Sequence, residues 1–233
     1  MHDIAANLTR VRERIAAAAA LSGRSPDDVR LIAVSKSHPV EAIAAAVRAG
    51  QHIFGESTTQ EALDKMPAFH ARALEWHFIG HLQSNKARFV PGQFHWLHAL
   101  DSLKLAERLS RLAEEREARL QTLVEVNVTA DPHKHGVAVP ELPALLEQLL
   151  QADLPGIELR GLMTVGPYPA TETEARAAFA ALRQLRDRCR QQFGIEQFTE
   201  LSMGMSGDFE PAILEGATMV RVGTAIFGER DYP

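Results

Sequence analysis

The chain has 233 residues, 45% hydrophobic and 24% charged, the composition of an ordinary globular protein with room for a sizeable core. Its formal net charge of −5 argues against a nucleic acid or an anionic membrane surface as the main partner. A single cysteine, Cys189, excludes an internal disulfide framework, and no second thiol accompanies it to suggest redox chemistry or a zinc cluster.

The first predicted element is an amphipathic helix, because Ile4, Leu8, Val11 and Ile15 recur at helical spacing. The apolar run that follows, Ile15 to Leu21, is too short to span a membrane and too closely preceded by charges to act as an export signal. The cytoplasm is therefore the expected location. Beyond this helix, short apolar runs alternate with longer amphipathic ones. Strands are predicted over 30–36, 52–56, 75–80, 95–100, 121–128, 157–166, 199–204 and 218–223. Between them the clearest helices cover 101–116 and 140–155. The first has Asp101 or Ser102 as its cap and Leu105, Leu109 and Leu112 as its stripe. The second places Leu142, Leu145, Leu146, Leu149 and Leu150 on one face and stops at Pro155.

Continuous apolar strands joined by helical crossovers imply a parallel sheet covered on both faces. Eight such units predict an α/β fold, a closed (β/α)8 TIM barrel with an extra N-terminal helix. The rival is an open doubly wound sheet, but no G-x-G-x-x-G follows the first strand. With no low-complexity linker and no internal repeat, a single domain over 1–233 is expected.

Active sites of such barrels lie at the C-terminal ends of the strands. The first strand runs out at Lys36, the third at His77 to His81, the seventh in "SMGMSGD" and the eighth in "RVGT". Gly204, Ser206 and Gly207 after strand seven, with Gly223 and Thr224 after strand eight, let backbone N–H groups approach an anion and add hydroxyl donors. Taken singly, each loop also reads as a tight turn; on adjacent strands they read together as a phosphate cradle. Lys36 in turn is either a strand-end lysine reaching for solvent or a reactive amine. A lysine partly desolvated beside another cation, here Arg221, loses proton affinity, which is what a Schiff-base amine requires. An amine that condenses with an aldehyde, facing a phosphate cradle, describes a site for pyridoxal 5′-phosphate (PLP). Three histidine pairs, His77/His81, His95/His98 and His133/His135, invite a metal, but "HFIGH" spans a strand and a loop and no carboxylate completes a ligand set. No metal is expected.

At these residues the chain resembles a known family. "LIAVSKSHP", "FGESTTQE", "WHFIGHLQSNK", "GLMTVG" and "LSMGMSGDFEPAILEGATMVRVGTAIFGERDY" are similar to the YggS/PROSC family, the pyridoxal phosphate homeostasis proteins, from about Leu31 to Tyr232. The resemblance implies a fold-type III PLP barrel like the N-terminal domain of alanine racemase. It implies that Lys36 holds PLP as a Schiff base, that Arg221 faces the pyridine nitrogen, and that the segments around Ser206 and Gly223-Thr224 hold the phosphate. His77, Ser202 and Met205, beside these groups in the same motifs, complete the expected PLP-binding set. The chain departs from the family pattern at Ser57-Thr58, where the family usually has Asn-Tyr, and at His38, where it often has a second lysine.

The implied function is PLP homeostasis: a monomer that binds PLP, buffers it, passes it to apo-enzymes and affects amino-acid pools, with no substantial catalysis. The alternatives are a PLP-dependent racemase-like enzyme and an aldolase using Lys36 directly. Racemisation needs acid–base groups on both faces of the substrate α-carbon. The chain has two tyrosines: Tyr232, near its C-terminus, and Tyr168, which flanking prolines predict to pack within a rigid loop. Lys134, in "TADPHKHGV", resembles a family lysine near the coenzyme and is assigned a role in transfer or second binding; the bland alternative is a solvated loop lysine.

Overall fold

In a computed structural model of the chain, residues 3–229 are described; Tyr232 lies outside them. Eight parallel strands form the wall: β1 (Arg30–Val34), β2 (Ile53–Glu56), β3 (Glu75–Phe78), β4 (Trp96–Leu100), β5 (Leu120–Asn127), β6 (Ile157–Met163), β7 (Glu200–Ser202) and β8 (Met219–Val222). Each pairs with the next, and β1 closes the ring on β8 with Arg30 opposite Met219 and Ile32 opposite Arg221. The barrel is therefore closed, as the alternation of strands and crossovers predicts. A two-residue strand, Val137–Ala138, adds to the edge of β5 beyond the ring.

Side chains alternate along each strand between the barrel interior and the outer layer. Arg30 of β1 meets Glu75 of β3 and Glu200 of β7, neither strand its neighbour, so it points inward. The outer layer comprises α2 (Val40–Arg48), α3 (Thr59–Lys65), α4 (Leu103–Glu114), α5 (Leu142–Gln151), α6 (Glu172–Phe193), α7 (Phe209–Leu214) and α8 (Thr224–Phe227), numbered after the N-terminal α1 (Ile4–Leu21). The crossover from β3 to β4 differs: it is a 3₁₀ helix, Ser84–Phe89, stopped by the Pro91-Gly92 turn. Ser102 stands at the N-cap of α4, but its hydroxyl donates to Asp101 Oδ1 at 3.0 Å and caps no backbone N–H.

Helix α1 buries Leu8, Val11 and Ile15, the residues its spacing singled out, against α7 and α8. Asn7 Nδ2 donates to Ile226 O at 2.8 Å, and Arg14 pairs with Glu210 at 2.6 Å. The extra helix thus braces the two short helices that follow the loops of β7 and β8. Among the described residues no helix is long and apolar enough to cross a membrane.

Candidate functional site

A cavity of about 630 Å³ opens at the C-terminal end of the barrel, a size suited to a small cofactor. Lys36, Met205, Ser206, Arg221, Gly223 and Thr224 all line it. Five of the eight strands contribute nothing to this set, so the sequence motifs converge on one side of the mouth, around β1, β7 and β8.

Lys36 stands two residues past the end of β1, in a turn, rather than within the strand. His38 N–H donates to Ser35 O at 3.1 Å, and Ser37 takes φ +63°, a left-handed conformation unfavourable for a residue with a Cβ. Side chains on both flanks hold it there. Lys65 Nζ donates to Ser35 O at 2.8 Å and to Glu56 Oε1 at 3.2 Å, while Ser35 Oγ donates to Glu56 Oε1 at 2.7 Å. Glu61 accepts from Ser37 N–H and from Lys65. Burial pushes the Glu56 carboxyl up, opposed by Lys65 and the Ser35 hydroxyl, and its Oε2 is buried without a hydrogen-bond partner. The turn that presents Lys36 is thus anchored to α3 through the residue before it and the residue after it.

Across the cavity, Ser206 Oγ accepts from Gly223 N–H at 3.2 Å and Ala225 N–H at 3.3 Å, which ties the β7 loop to the start of α8. Gly204, at φ +93°, has no room for a side chain: a Cβ there would come within 2.7 Å of Ala212. Open space surrounds Gly207, where a Cβ would meet nothing within 4 Å. Two of the three carboxylates that line the cavity are engaged elsewhere. Asp208 Oδ1 accepts from Met205 N–H at 2.6 Å, and Glu210 is held by Arg14. Hydroxyls, small residues and cations, with Asp208 and Glu210 committed, are a donor set that fits a phosphate-bearing aldehyde.

Arg221 lies at the floor, only 4% exposed. Its Nη1 donates to Ser202 Oγ at 2.6 Å and its Nη2 to Thr164 O at 2.9 Å. Burial lowers its pKa to about 10, opposed by Glu125 and Asp208. Burial likewise pushes the Glu125 carboxyl up to about 7, against the pull of Arg221, and its Oε2 is buried without a hydrogen-bond partner. His77 and Ser202 do not line the cavity. They lie fully buried behind Arg221, in a file that includes His98: Ser202 Oγ to His98 Nδ1 is 2.8 Å, His98 Nε2 to His77 Nδ1 is 2.8 Å, and His77 Nε2 to Glu75 Oε1 is 2.7 Å.

Two loops frame the opening. Lys134 is not simply solvated: its Nζ donates to Gly166 O at 2.7 Å, which straps the loop after β5 to the loop after β6. His135 stacks on His81 with ring centroids 4.0 Å apart. Among the described residues no three histidine, cysteine or carboxylate side chains are grouped to hold a metal ion. Tyr168 lines the rim but is 89% exposed, so the expectation that it packs within its loop is corrected: its prolines shape the backbone and leave the ring in solvent.

The alanine racemase N-terminal domain family matches residues 6–231. The pyridoxal phosphate homeostasis protein of Pseudomonas aeruginosa is 48% identical over 236 residues, covering 100% of this chain and 98% of the relative. The protein of that name from Escherichia coli is 44% identical over 239 residues, covering 100% and 99%. The chain belongs to the pyridoxal phosphate homeostasis proteins. Among solved structures, PipY of Synechococcus elongatus with PLP bound superposes at a TM-score of 0.83 and 43% identity, covering 94% of this chain and 100% of PipY. Alanine racemase of Corynebacterium glutamicum, at 20% identity, a TM-score of 0.68 and coverage of 95% of this chain and 62% of its own, shares the fold.

Residues that sequence reading did not single out lie behind the cavity wall: Glu61 and Lys65 around the Lys36 turn, and Glu75 and Glu125 inside the barrel, while His98 was weighed only as half of a metal-binding pair. Glu75, His77 and His98 carried a readable signal, since charged and imidazole side chains at alternate positions of predicted strands must face either a buried layer or the barrel interior.

Proposed function

We propose that this chain is a single-domain PLP-binding protein of intracellular PLP homeostasis, acting as a monomer in the cytoplasm and turning over no amino acid at a useful rate. The convergence of Lys36, Arg221, Ser206, Gly223 and Thr224 on one cavity carries the reading, and PipY, 43% identical to this chain, was solved with PLP bound. PLP supplies an electrophilic aldehyde, a ring nitrogen and a phosphate. Lys36 offers the amine that retains the aldehyde covalently, from a turn held on both sides. Ser206 and Thr224 would hold the phosphate, within the small-residue loop segments that include Met205 and Gly223. Arg221 would face the ring nitrogen, where a buried guanidinium keeps its protons and donates without releasing them. His77 and Ser202 serve the coenzyme from behind, through Arg221.

The absorption spectrum of the purified protein tests this, followed by borohydride reduction and peptide mapping. A reduced adduct on Lys36 is expected. An adduct on a different lysine, or a protein that retains no PLP, overturns the reading.

A racemase-like activity is the second reading, favoured by one observation: Tyr168 stands at the cavity rim. Its ring is mostly in solvent and so is poorly placed as a base toward a group held in the cavity. Solvent-deuterium exchange at the α-carbon of amino acids is expected to be slow. Rapid exchange that disappears in Tyr168→Phe would establish the enzyme instead. Delivery of PLP to apo-enzymes is part of the proposed role, with Lys134 at the strap between loops as the residue that acts in transfer.

A further inference from the structure

We propose that Glu75, His77, His98 and Ser202 form a one-way hydrogen-bond relay that sets the orientation of the Arg221 guanidinium at the cavity floor. The proposal rests on reading the cavity as a PLP site, and it gives positioning roles to four residues that lie behind the cavity wall.

The direction of every bond follows from the two ends. A guanidinium has five N–H donors and no acceptor, and an ionised carboxylate has acceptors only. Arg221 Nη1 therefore donates to Ser202 Oγ, 2.6 Å away. Ser202 has one proton, and its other close partner is His98 Nδ1 at 2.8 Å, so the hydroxyl donates there. His98 Nδ1 is then the acceptor, and the His98 proton sits on Nε2, facing His77 Nδ1 at 2.8 Å. His77 Nδ1 is the acceptor in its turn, which leaves the His77 proton on Nε2, aimed at Glu75 Oε1 at 2.7 Å. Reversing any one link would set two donors, or two lone pairs, against each other at side chains buried from Ser202 to His77, a costly arrangement.

The surroundings keep the chain in this state. Both rings must be neutral, and burial lowers the pKa of each, for His77 against the opposing pull of Glu75; for His98 the neighbouring His77 and Arg221 lower it further. The hydrogen bond from His77 holds Glu75 below the usual carboxylate range, with Arg30 and His95 acting in the same direction. Trp96 stacks on His77 with planes 7° apart, which fixes the imidazole plane. The relay crosses the barrel from β3 and β4 to β7 and β8, strands that are not all neighbours. Its consequence for the cavity is that the Ser202 hydroxyl cannot turn: its proton is claimed by His98, so its lone pair stays on Arg221. With Thr164 O holding the second nitrogen, the guanidinium has two fixed anchors and one remaining edge.

Nitrogen NMR of the full-length protein loaded with PLP and labelled with 15N in histidine tests the relay without any substitution. Both His77 and His98 are expected to carry their single proton on Nε2. A proton on Nδ1 of either ring, or two protons on either, overturns the relay. The functional part is tested by His98→Leu, which is expected to shift the absorption band of bound PLP and weaken its retention about tenfold. His98→Gln is expected to restore both, because an amide accepts and donates in the same direction as the imidazole. His98→Leu with the spectrum and retention of wild type overturns the positioning role. If wild type retains no PLP, the proposed function falls, while the histidine tautomers, read on the coenzyme-free chain, still decide whether the relay exists.

Discussion

Two buried polar networks flank the cavity, one inside the barrel and one outside its wall. Inside, Ser202, His98 and His77 meet as neutral groups in file, each buried and each with its hydrogen bonds made, and the charges stand only at the ends. Outside, behind the Lys36 turn, Glu56, Glu61 and Lys65 meet as ions, and one carboxylate oxygen has no hydrogen-bond partner. The inner network fixes an orientation through the order of its donors and acceptors, at little electrostatic cost. The outer one fixes a strained turn through Coulomb attraction and carries a desolvation penalty on Glu56. Orientation and presentation of the two cations at the cavity are thus handled by different physics, which substitution separates.

The largest expected effect is that of Lys36→Ala, which removes the proposed covalent anchor. Absorbance of covalently held PLP should vanish, weaker retention through the phosphate cup should remain, and the melting temperature of the coenzyme-free protein should stay near wild type. An unchanged spectrum would move the anchor to another lysine.

Breaking the outer network with Lys65→Met leaves the Glu56 carboxyl buried without its cation and should cost about 3 kcal/mol of stability in urea unfolding. Adding Glu56→Met should recover most of that loss, since an apolar pair removes the stranded charge. No recovery in the double variant would mean that the ions hold the fold by more than their mutual attraction.

Glu125 provides a pH test that neither network predicts. Its carboxyl titrates near 7 in the folded chain against an ordinary 4.5, so between those values the folded protein holds a proton that the unfolded chain releases. Stability of the coenzyme-free protein should therefore fall by about 2–3 kcal/mol as pH rises through that window, from this group alone. Glu125→Gln should flatten the slope. A wild-type curve and a variant curve that run parallel would show that Glu125 ionises normally.

The phosphate cup gives a smaller effect. Loss of one neutral donor to a charged acceptor is worth about 1.5–3 kcal/mol, so Ser206→Ala and Thr224→Ala should each weaken PLP binding by roughly one to two decades. Ser206→Ala should be the worse of the two, because its hydroxyl also accepts from Gly223 and Ala225. Equal binding by both variants and wild type would reduce these loops to turns. The smallest change belongs to Lys134→Ala, which should leave PLP binding close to wild type and slow its transfer to an apo-enzyme. Unchanged transfer would leave Lys134 a structural strap.

Much of this was legible in the chain itself. Strand and helix periodicities act over a few residues, so Ile4, Leu8, Val11 and Ile15 announce α1, and apolar runs between amphipathic ones announce a parallel barrel. Lys36 and the glycine-rich loops after β7 and β8 were visible because a barrel gathers its strand ends at one mouth, whatever the side chains do. Even there the limits were local: the apolar run at 30–36 suggested a strand reaching Lys36, whereas the chain turns after Val34 at a left-handed Ser37 held by α3. The β3–β4 crossover is a 3₁₀ helix where the eightfold repeat of strands and helices predicts an α-helix.

Only the tertiary structure could decide what stands behind the cavity. His98 and Ser202 are 104 residues apart in the chain, and Arg221 reaches Thr164 across 57. No periodicity links such residues; the closure of the ring brings them into one buried interior, where each donor must find an acceptor. The sequence by itself determined the elements, the mouth and the reactive groups placed there, because those follow from local pattern and from the geometry of a parallel barrel. Which polar side chains orient Arg221, which ions hold the Lys36 turn, and that Tyr168 lies in solvent were settled by packing, since burial and hydrogen-bond satisfaction are properties of contacts between distant parts of the chain.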